Sequence, residues 1–250
     1  MIYSSQIKYL FLETPHTGST AISAELVENY GGESILSKHS NYCDFKREFR
    51  SAVDDLFVFS AVRHPLQEVH SIFQKYLSNH KGNYTNENLR IENGGWISRK
   101  KGGIYQFVQD NRDFEAFVLK YYSRPFTSAI SINGSYCDVV LRFENLQQGF
   151  SSVLDRLGLA QVRPLPVVNK TLHGFSETEV TPTSLSEAAI RPFLPFMKEW
   201  GYMAASVGSY DINWRLALGY EIAKGLRCLH ALTLNRMDSR LARTIRTRFE

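Results

Sequence analysis

The first uninterrupted apolar run in the chain, Tyr9-Leu10-Phe11-Leu12, is short and reads as a buried strand. It passes through Pro15 and a Gly-Ser-Thr turn into Ala21, Ile22, Leu26 and Val27 at helical spacing. This predicts a helix from Ser19 to Tyr30, stopped by Gly31-Gly32. Ser34 to Ser37 reads as a short strand leading into Lys38-His39-Ser40. Phe45, Phe49 and Val53, four apart, predict an amphipathic helix within 44–54. Leu56 to Val62 (LFVFSAV) is the clearest strand, apolar throughout and so buried on both faces. Pro65 then suits the first position of a helix whose face is Leu66, Val69, Phe73, Tyr76 and Leu77. Residues 78–103 are polar and Gly/Asn-rich, with Trp96 isolated among them, and read as a long loop. Helical spacing returns over Ile104–Tyr122. A third strand, Val139–Phe143, leads through Glu144-Asn145 to a helix ending at Gly158. After an irregular stretch over 163–182, Ser184 to Glu187 forms a capping-box pattern. The helix it opens is broken by Pro192 and Pro195 and ends at Trp200-Gly201-Tyr202. Asn213 to Arg248 is made of good helix formers, with Leu216, Tyr220, Ala223, Leu226, His230 and Leu234 as the face expected to pack on the body.

Strands alternating with helices predict an α/β protein with a central, mostly parallel sheet. The expected organisation is an α/β domain over 1–206 with a basic helical extension, 207–250, packed on it. In such sheets ligands bind beyond the carboxyl ends of the strands. Two polar corners, Thr14–Thr20 and Arg63–Ser71, fall there.

Composition narrows the partners. The 250 residues are 43% hydrophobic and 22% charged, with a formal net charge of +4. That excess suits an anionic cofactor or substrate and is too small to indicate nucleic acid. Cys43, Cys137 and Cys228 are far apart, odd in number and without metal-binding spacing. They read as reduced thiols, with no metal expected. The N-terminus lacks the pattern of a signal peptide, and no stretch approaches the ~18 apolar residues of a membrane span. A cytoplasmic protein is expected. From Trp214 onward, eight Lys/Arg face three acids. Besides packing on the body, this segment suits a dimer contact, an acidic-substrate platform or peripheral binding to an anionic membrane surface.

The first corner carries the chemistry. A strand that turns through Gly and small hydroxyl residues into a helix N-terminus offers free backbone N–H groups and the positive end of the helix dipole to an anion. Thr14, Thr17, Ser19 and Thr20 add hydroxyls, and His16 adds a proton or a charge. The loop lacks the first glycine and the lysine of GxxxxGK[ST], which argues against an ATPase or GTPase. At the second corner, Arg63 ends a strand and Ser71 lies about two turns into the next helix. A guanidinium with a nearby hydroxyl suits a phosphate monoester.

Together these segments resemble the sulfotransferase family. TPHTGST at 14–20 is similar to that family's 5′-phosphosulfate loop, and Arg63-His-Pro with Ser71 is similar to its 3′-phosphate motif. The resemblance continues through Val139–Leu146, Asn169-Lys170-Thr171 and Trp200-Gly201-Tyr202, and is closest to the carbohydrate-acting branch. It implies a P-loop-like three-layer fold and the cofactor 3′-phosphoadenosine 5′-phosphosulfate (PAPS), which leaves as the 3′,5′-bisphosphate (PAP). The implied acceptor is a hydroxyl of a carbohydrate, glycolipid or small metabolite. The resemblance assigns Thr14, Pro15, His16, Thr17, Gly18, Ser19 and Thr20 to the 5′ end, Arg63 and Ser71 to the 3′-phosphate, and Lys170 to the nucleotide. His39 is the implied base, with Glu13 beside the loop as the alternative carboxylate. His16 stands where the family usually has lysine and would stabilise the leaving group. Trp96, Arg90, Arg99, Lys100 and Lys101 are candidates for an acceptor pocket. A non-catalytic PAPS- or PAP-binding adaptor is the second reading, motivated by His16. A nucleotide or sugar kinase is the third, disfavoured by the missing lysine.

Overall fold

A computed structural model describes residues 1–50, 55–166, 185–203 and 210–234, without the side chains of 232–234. The strands are β1 (Ile2–Ser4), β2 (Tyr9–Leu12), β3 (Glu33–Ser34), β4 (Phe57–Val62) and β5 (Val139–Arg142). They form one sheet in the order β3-β1-β2-β4-β5. β1 pairs antiparallel with both β2 and β3, while β2–β4 and β4–β5 are parallel. Four strands therefore run one way and only β1 is reversed, so the sheet is mixed but mostly parallel. The fold is α/β.

Helices α1 (Ser19–Asn29), α2 (Tyr42–Glu48), α3 (Pro65–Leu77), α4 (Arg99–Asn111), α5 (Phe114–Tyr121), α6 (Ile130–Asn133), α7 (Leu146–Arg156), α8 (Glu187–Ile190), α9 (Leu194–Glu199) and α10 (Trp214–Leu234) complete the described chain. The chain divides into two compact units. The first holds residues 1–64, 127–170 and 224–228, and the second the remainder.

The first unit contains the whole sheet. Side chains alternate across a strand, and the two resulting cores differ in their cover. Tyr9 and Phe11 of β2, with Phe59 and Ala61 of β4, pack with Ile22 and Leu26 of α1 and with Phe150, Val153 and Leu154 of α7. Leu10, Leu12 and Val58 face the other way and pack with Phe45 of α2. This is why LFVFSAV has no polar face: both sides of β4 are covered. At ~25 cal/mol per Å² of apolar surface, burial of these large side chains is the main stabilising term. Arg163 ties the irregular chain after α7 to α1, donating to Glu25 at 2.9 Å and pairing with Glu28.

The second unit is built around aromatic rings. Phe73 of α3 meets Phe114 and Phe117 of α5 with centroids 5.5 and 5.4 Å apart, and Phe126 meets Phe193 and Phe196 at 5.2 and 5.1 Å. Burial raises the Tyr122 and Tyr76 phenols far above their usual range. Gln109 of α4 caps the end of α3 by donating to the Tyr76 and Leu77 carbonyls at 3.0 and 3.1 Å.

Several elements differ from the sequence expectation for local reasons. The residues before Tyr9 suggest only a lead-in to the first strand, yet β1 is a reversed strand of its own. β3 has two residues, not four; Leu36 sits at φ 54°, outside extended conformation. α2 ends at Glu48, capped by Phe49, and 51–54 lie outside the described residues. α4 begins at Arg99, five residues before Ile104, because the Ser98 side chain accepts from the Lys101 N–H and so caps the helix ahead of Gly102-Gly103. Helix 104–122 is two helices, divided where Arg112 turns left-handed and Asp113 caps α5. α8 is capped at Ser186, and Ser184 lies outside the described residues. A short 3-10 turn over 191–193 separates α8 from α9 at the two prolines, as expected. No helix among the described residues is long and apolar enough to cross a membrane.

Candidate functional site

The carboxyl ends of β2, β4 and β5 converge within the first unit, and the polar corner 13–20 lies there. Two features shape its backbone. His16 has φ 64° and Gly18 has φ 73°, with no positive φ at Thr17 between them. Alternation of this kind is a feature of anion-binding nests, in which successive N–H groups face one side. The first helical bonds of α1 run from the Ala21 and Ile22 N–H groups to the Gly18 carbonyl. The amides of Thr17, Gly18, Ser19 and Thr20 precede them and donate to no acceptor among the described residues. Gly18 carries no side-chain cap either. An eleven-residue helix thus presents its positive end with no acidic side chain in its first turn and no side-chain cap among the described residues.

The loop is pinned from beneath. Ser60 of β4, fully buried, donates to the Leu12 carbonyl at 2.7 Å and lies 2.9 Å from the Thr14 hydroxyl. Thr17 Oγ1 donates back to the Thr14 carbonyl at 2.9 Å. With the Ser60 proton committed to Leu12, Thr14 must donate to Ser60. Ser60→Ala would orphan that buried hydroxyl, so it is expected to cost about 1–3 kcal/mol in urea unfolding. Thr14→Val in the same chain should add less than it costs alone. Strict additivity would show that the two hydroxyls are not coupled.

Gly18 is packed as well as left-handed. A Cβ there would lie 2.6 Å from Leu146 Cδ2 and 3.4 Å from the Phe143 ring. Both belong to the corner after β5, the segment that continues the family resemblance. Phe143 also lies under Arg63, whose guanidinium carbon is 4.2 Å from the ring centroid. Arg63 Nη1 donates to the His16 carbonyl at 3.4 Å. The structure therefore brings Arg63 to the opening loop, a pairing across 47 residues.

His64, next along, is half-buried, and its backbone N–H donates to Glu144 Oε1 at 2.8 Å. Burial pushes the imidazole from 6.5 down to about 4; Glu144 opposes this and Arg63 adds to it. Between those values the unfolded chain binds a proton that the folded chain refuses. Stability contributed here is therefore unaffected above pH 6.5 and is lost as pH falls toward 4. The unfolding free energy of wild type relative to His64→Gln is expected to drop by about 2 kcal/mol between pH 7.5 and 4.5. A pH-independent difference would refute the buried neutral imidazole.

His39 lies on the exposed loop after β3, and its Nδ1 is 3.0 Å from the Glu13 carbonyl oxygen. A carbonyl only accepts, so Nδ1 carries the proton. In the neutral ring this leaves the lone pair on Nε2, which has no partner among the described residues. Glu13 itself is 5% exposed. Its Oε1 accepts from the Ser23 hydroxyl at 2.7 Å and its Oε2 from the Met1 amino group at 2.8 Å. As a base it is the weaker candidate, because both oxygens are engaged. Its main chain instead orients His39.

Lys38 is a further candidate that motif reasoning does not single out. Its Nζ donates to Thr20 Oγ1 at 2.9 Å, which fixes a cation at the start of α1. Its position next to His39 is the available signal. Of the remaining candidates, Ser71 lies half-buried on α3 in the second unit, and Lys170 lies outside the described residues. Arg99 and Arg90 pair with Glu92 and Glu87 at 2.8 and 3.7 Å, while Lys101 lies 5.1 Å from the Trp96 ring centroid. Those partners are local to 87–101. Among the described residues no group of three or more His, Cys, Asp or Glu is placed to hold a metal ion.

Compared with protein-family models, curated proteins and solved structures, the chain gives no match to any of the three.

Proposed function

We propose that the chain is a sulfotransferase with a P-loop-like fold. It transfers the sulfuryl group of PAPS to a hydroxyl of a carbohydrate, glycolipid or small metabolite. The observation that carries the reading is the set of four consecutive amides, Thr17 to Thr20, with no acceptor among the described residues at a helix N-terminus, beside an arginine bonded to the same loop. These residues fit a bis-anionic nucleotide: backbone donors and the Lys38 cation at one group, the Arg63 guanidinium for another. Ser71 and Lys170 are assigned to the nucleotide by their motifs alone.

When bound, the nucleotide supplies the sulfuryl group. The chain's own residues do the rest. The amides and helix dipole stabilise negative charge at the 5′ end. His39 Nε2 accepts the proton of the attacking hydroxyl while its Nδ1–H stays with Glu13. His16, when protonated, neutralises charge on the leaving side, as lysine does in the family.

The test is transfer of labelled sulfate from PAPS by the purified chain to a panel of sugars, glycolipids and small alcohols, with PAP titrated by calorimetry. Turnover with PAP binding is the expected result. PAP binding without turnover on any acceptor would favour the adaptor reading that His16 motivates. Binding of ATP in place of PAP would overturn both in favour of a kinase.

A further inference from the structure

α10 is apolar on two sides. Tyr220 is buried, with its hydroxyl hydrogen-bonded to Glu199, and Arg227 Nη1 donates to the Thr127 carbonyl at 2.9 Å. These side chains anchor one face. Leu226, expected on that face, is exposed. It belongs instead to a second stripe, Trp214, Leu218, Ile222, Leu226 and Leu229, whose members are 51–70% exposed. Their spacing of four, four, four and three places them along one side of the 21-residue helix, opposite Tyr220. Single exposed leucines are ordinary, whereas five large apolar side chains in one stripe mark an interaction surface.

The charge distribution selects the occupant. Residues 214–250 hold eight Lys/Arg and three Asp/Glu, a net of +5, while the whole chain carries +4. The other 213 residues are thus slightly acidic, and the entire positive excess lies in and after this helix. Two copies placing these segments side by side would repel each other. A nucleic acid would satisfy the charge but not an aliphatic stripe ending in a tryptophan. An anionic lipid surface takes both: aliphatic side chains enter the acyl boundary, Trp214 suits the interface, and the net positive charge of 214–250 suits anionic headgroups.

We propose that α10 is a membrane-docking helix. It seats the stripe Trp214–Leu229 on anionic bilayers and does not cross them. The inference is independent of the sulfotransferase reading, since neither the stripe nor its charge takes part in that site.

The test is flotation of the full chain with vesicles of phosphatidylcholine alone and with phosphatidylserine added to about one third. The wild type is expected to float with the anionic vesicles, and to bind them at least tenfold more weakly when salt is raised from 0.05 to about 0.5 M, as screening of surface charge requires. L218Q/I222Q and, separately, W214S/L226Q alter only exposed positions. Each is expected to reduce binding at least tenfold with an unchanged thermal transition. Failure of the wild type to float, equal binding to neutral vesicles, or full binding by both variants would overturn the proposal. A dimer in sedimentation equilibrium that both variants lose, without vesicle binding by the wild type, would assign the stripe to a second copy instead.

Discussion

His39→Ala is expected to lower sulfuryl transfer by roughly 10²- to 10⁴-fold, the usual contribution of a positioned general base. PAP affinity is expected to stay within about twofold. The separation follows from the geometry. His39 approaches the site through a single bond to the Glu13 main chain, one residue before the anion loop. None of the donors assigned to the nucleotide is held by its ring. The bond to a carbonyl fixes the proton on Nδ1 and leaves Nε2 as the accepting atom. His39→Gln tests this directly: it can keep a donor to Glu13 but has no basic nitrogen, so its rate should fall as far as that of alanine. Full activity in either variant would sink the assignment. A parallel loss of PAP affinity would instead show that His39 belongs to the nucleotide site.

Gly18→Ala carries the second large effect, on stability and binding together. Alanine at φ 73° costs about 1–2 kcal/mol for left-handed backbone. The added Cβ also lies 2.6 Å from Leu146 Cδ2, and Leu146 packs against the core under α1 and α7. Overpacking of this kind adds about 1 kcal/mol or more. The sum, about 2–4 kcal/mol, corresponds to a fall in Tm of roughly 5–15 °C for a chain of this size. The four amides of residues 17–20 share the backbone that must move, so PAP affinity is expected to fall at least tenfold. Gly158→Ala is the control. It has φ 70°, with no described residue within 4 Å of an added Cβ, so it should show the backbone cost alone. Equal losses in the two variants, by differential scanning calorimetry, would remove the packing argument.

How far the site is legible in the sequence depends on how local each determinant is. The Thr14–Thr20 corner is readable because strand, turn and helix start are contiguous, and the bonds of Ala21 and Ile22 to Gly18 are local. Neither left-handed residue is foretold by its place: the residue before a helix is ordinarily extended, so Gly18 at φ 73° and His16 at φ 64° are both set by the folded corner. Arg63 is readable as a strand-end cation. Its bond to the His16 carbonyl spans 47 residues and depends on the register of β2 against β4. Ser60 is hidden inside an apolar run, where one hydroxyl reads as a tolerated impurity. Only its contact with Thr14 and Leu12 shows that it pins the loop.

By itself the sequence determined what hydrophobic periodicity encodes: β2, β4 and β5 as apolar runs, α1, α3 and α7 as amphipathic helices, and hence an α/β chain with a polar corner at a strand end. Tertiary structure alone decided the reversed β1, the engagement of both Glu13 oxygens, the tether on His39, the placement of Lys38 at Thr20, and which apolar side of α10 faces solvent. The reason is the same in each case. A side chain's partner across tens of residues is selected by strand register and packing, and a helix with apolar residues on two faces carries no local instruction about which face to bury.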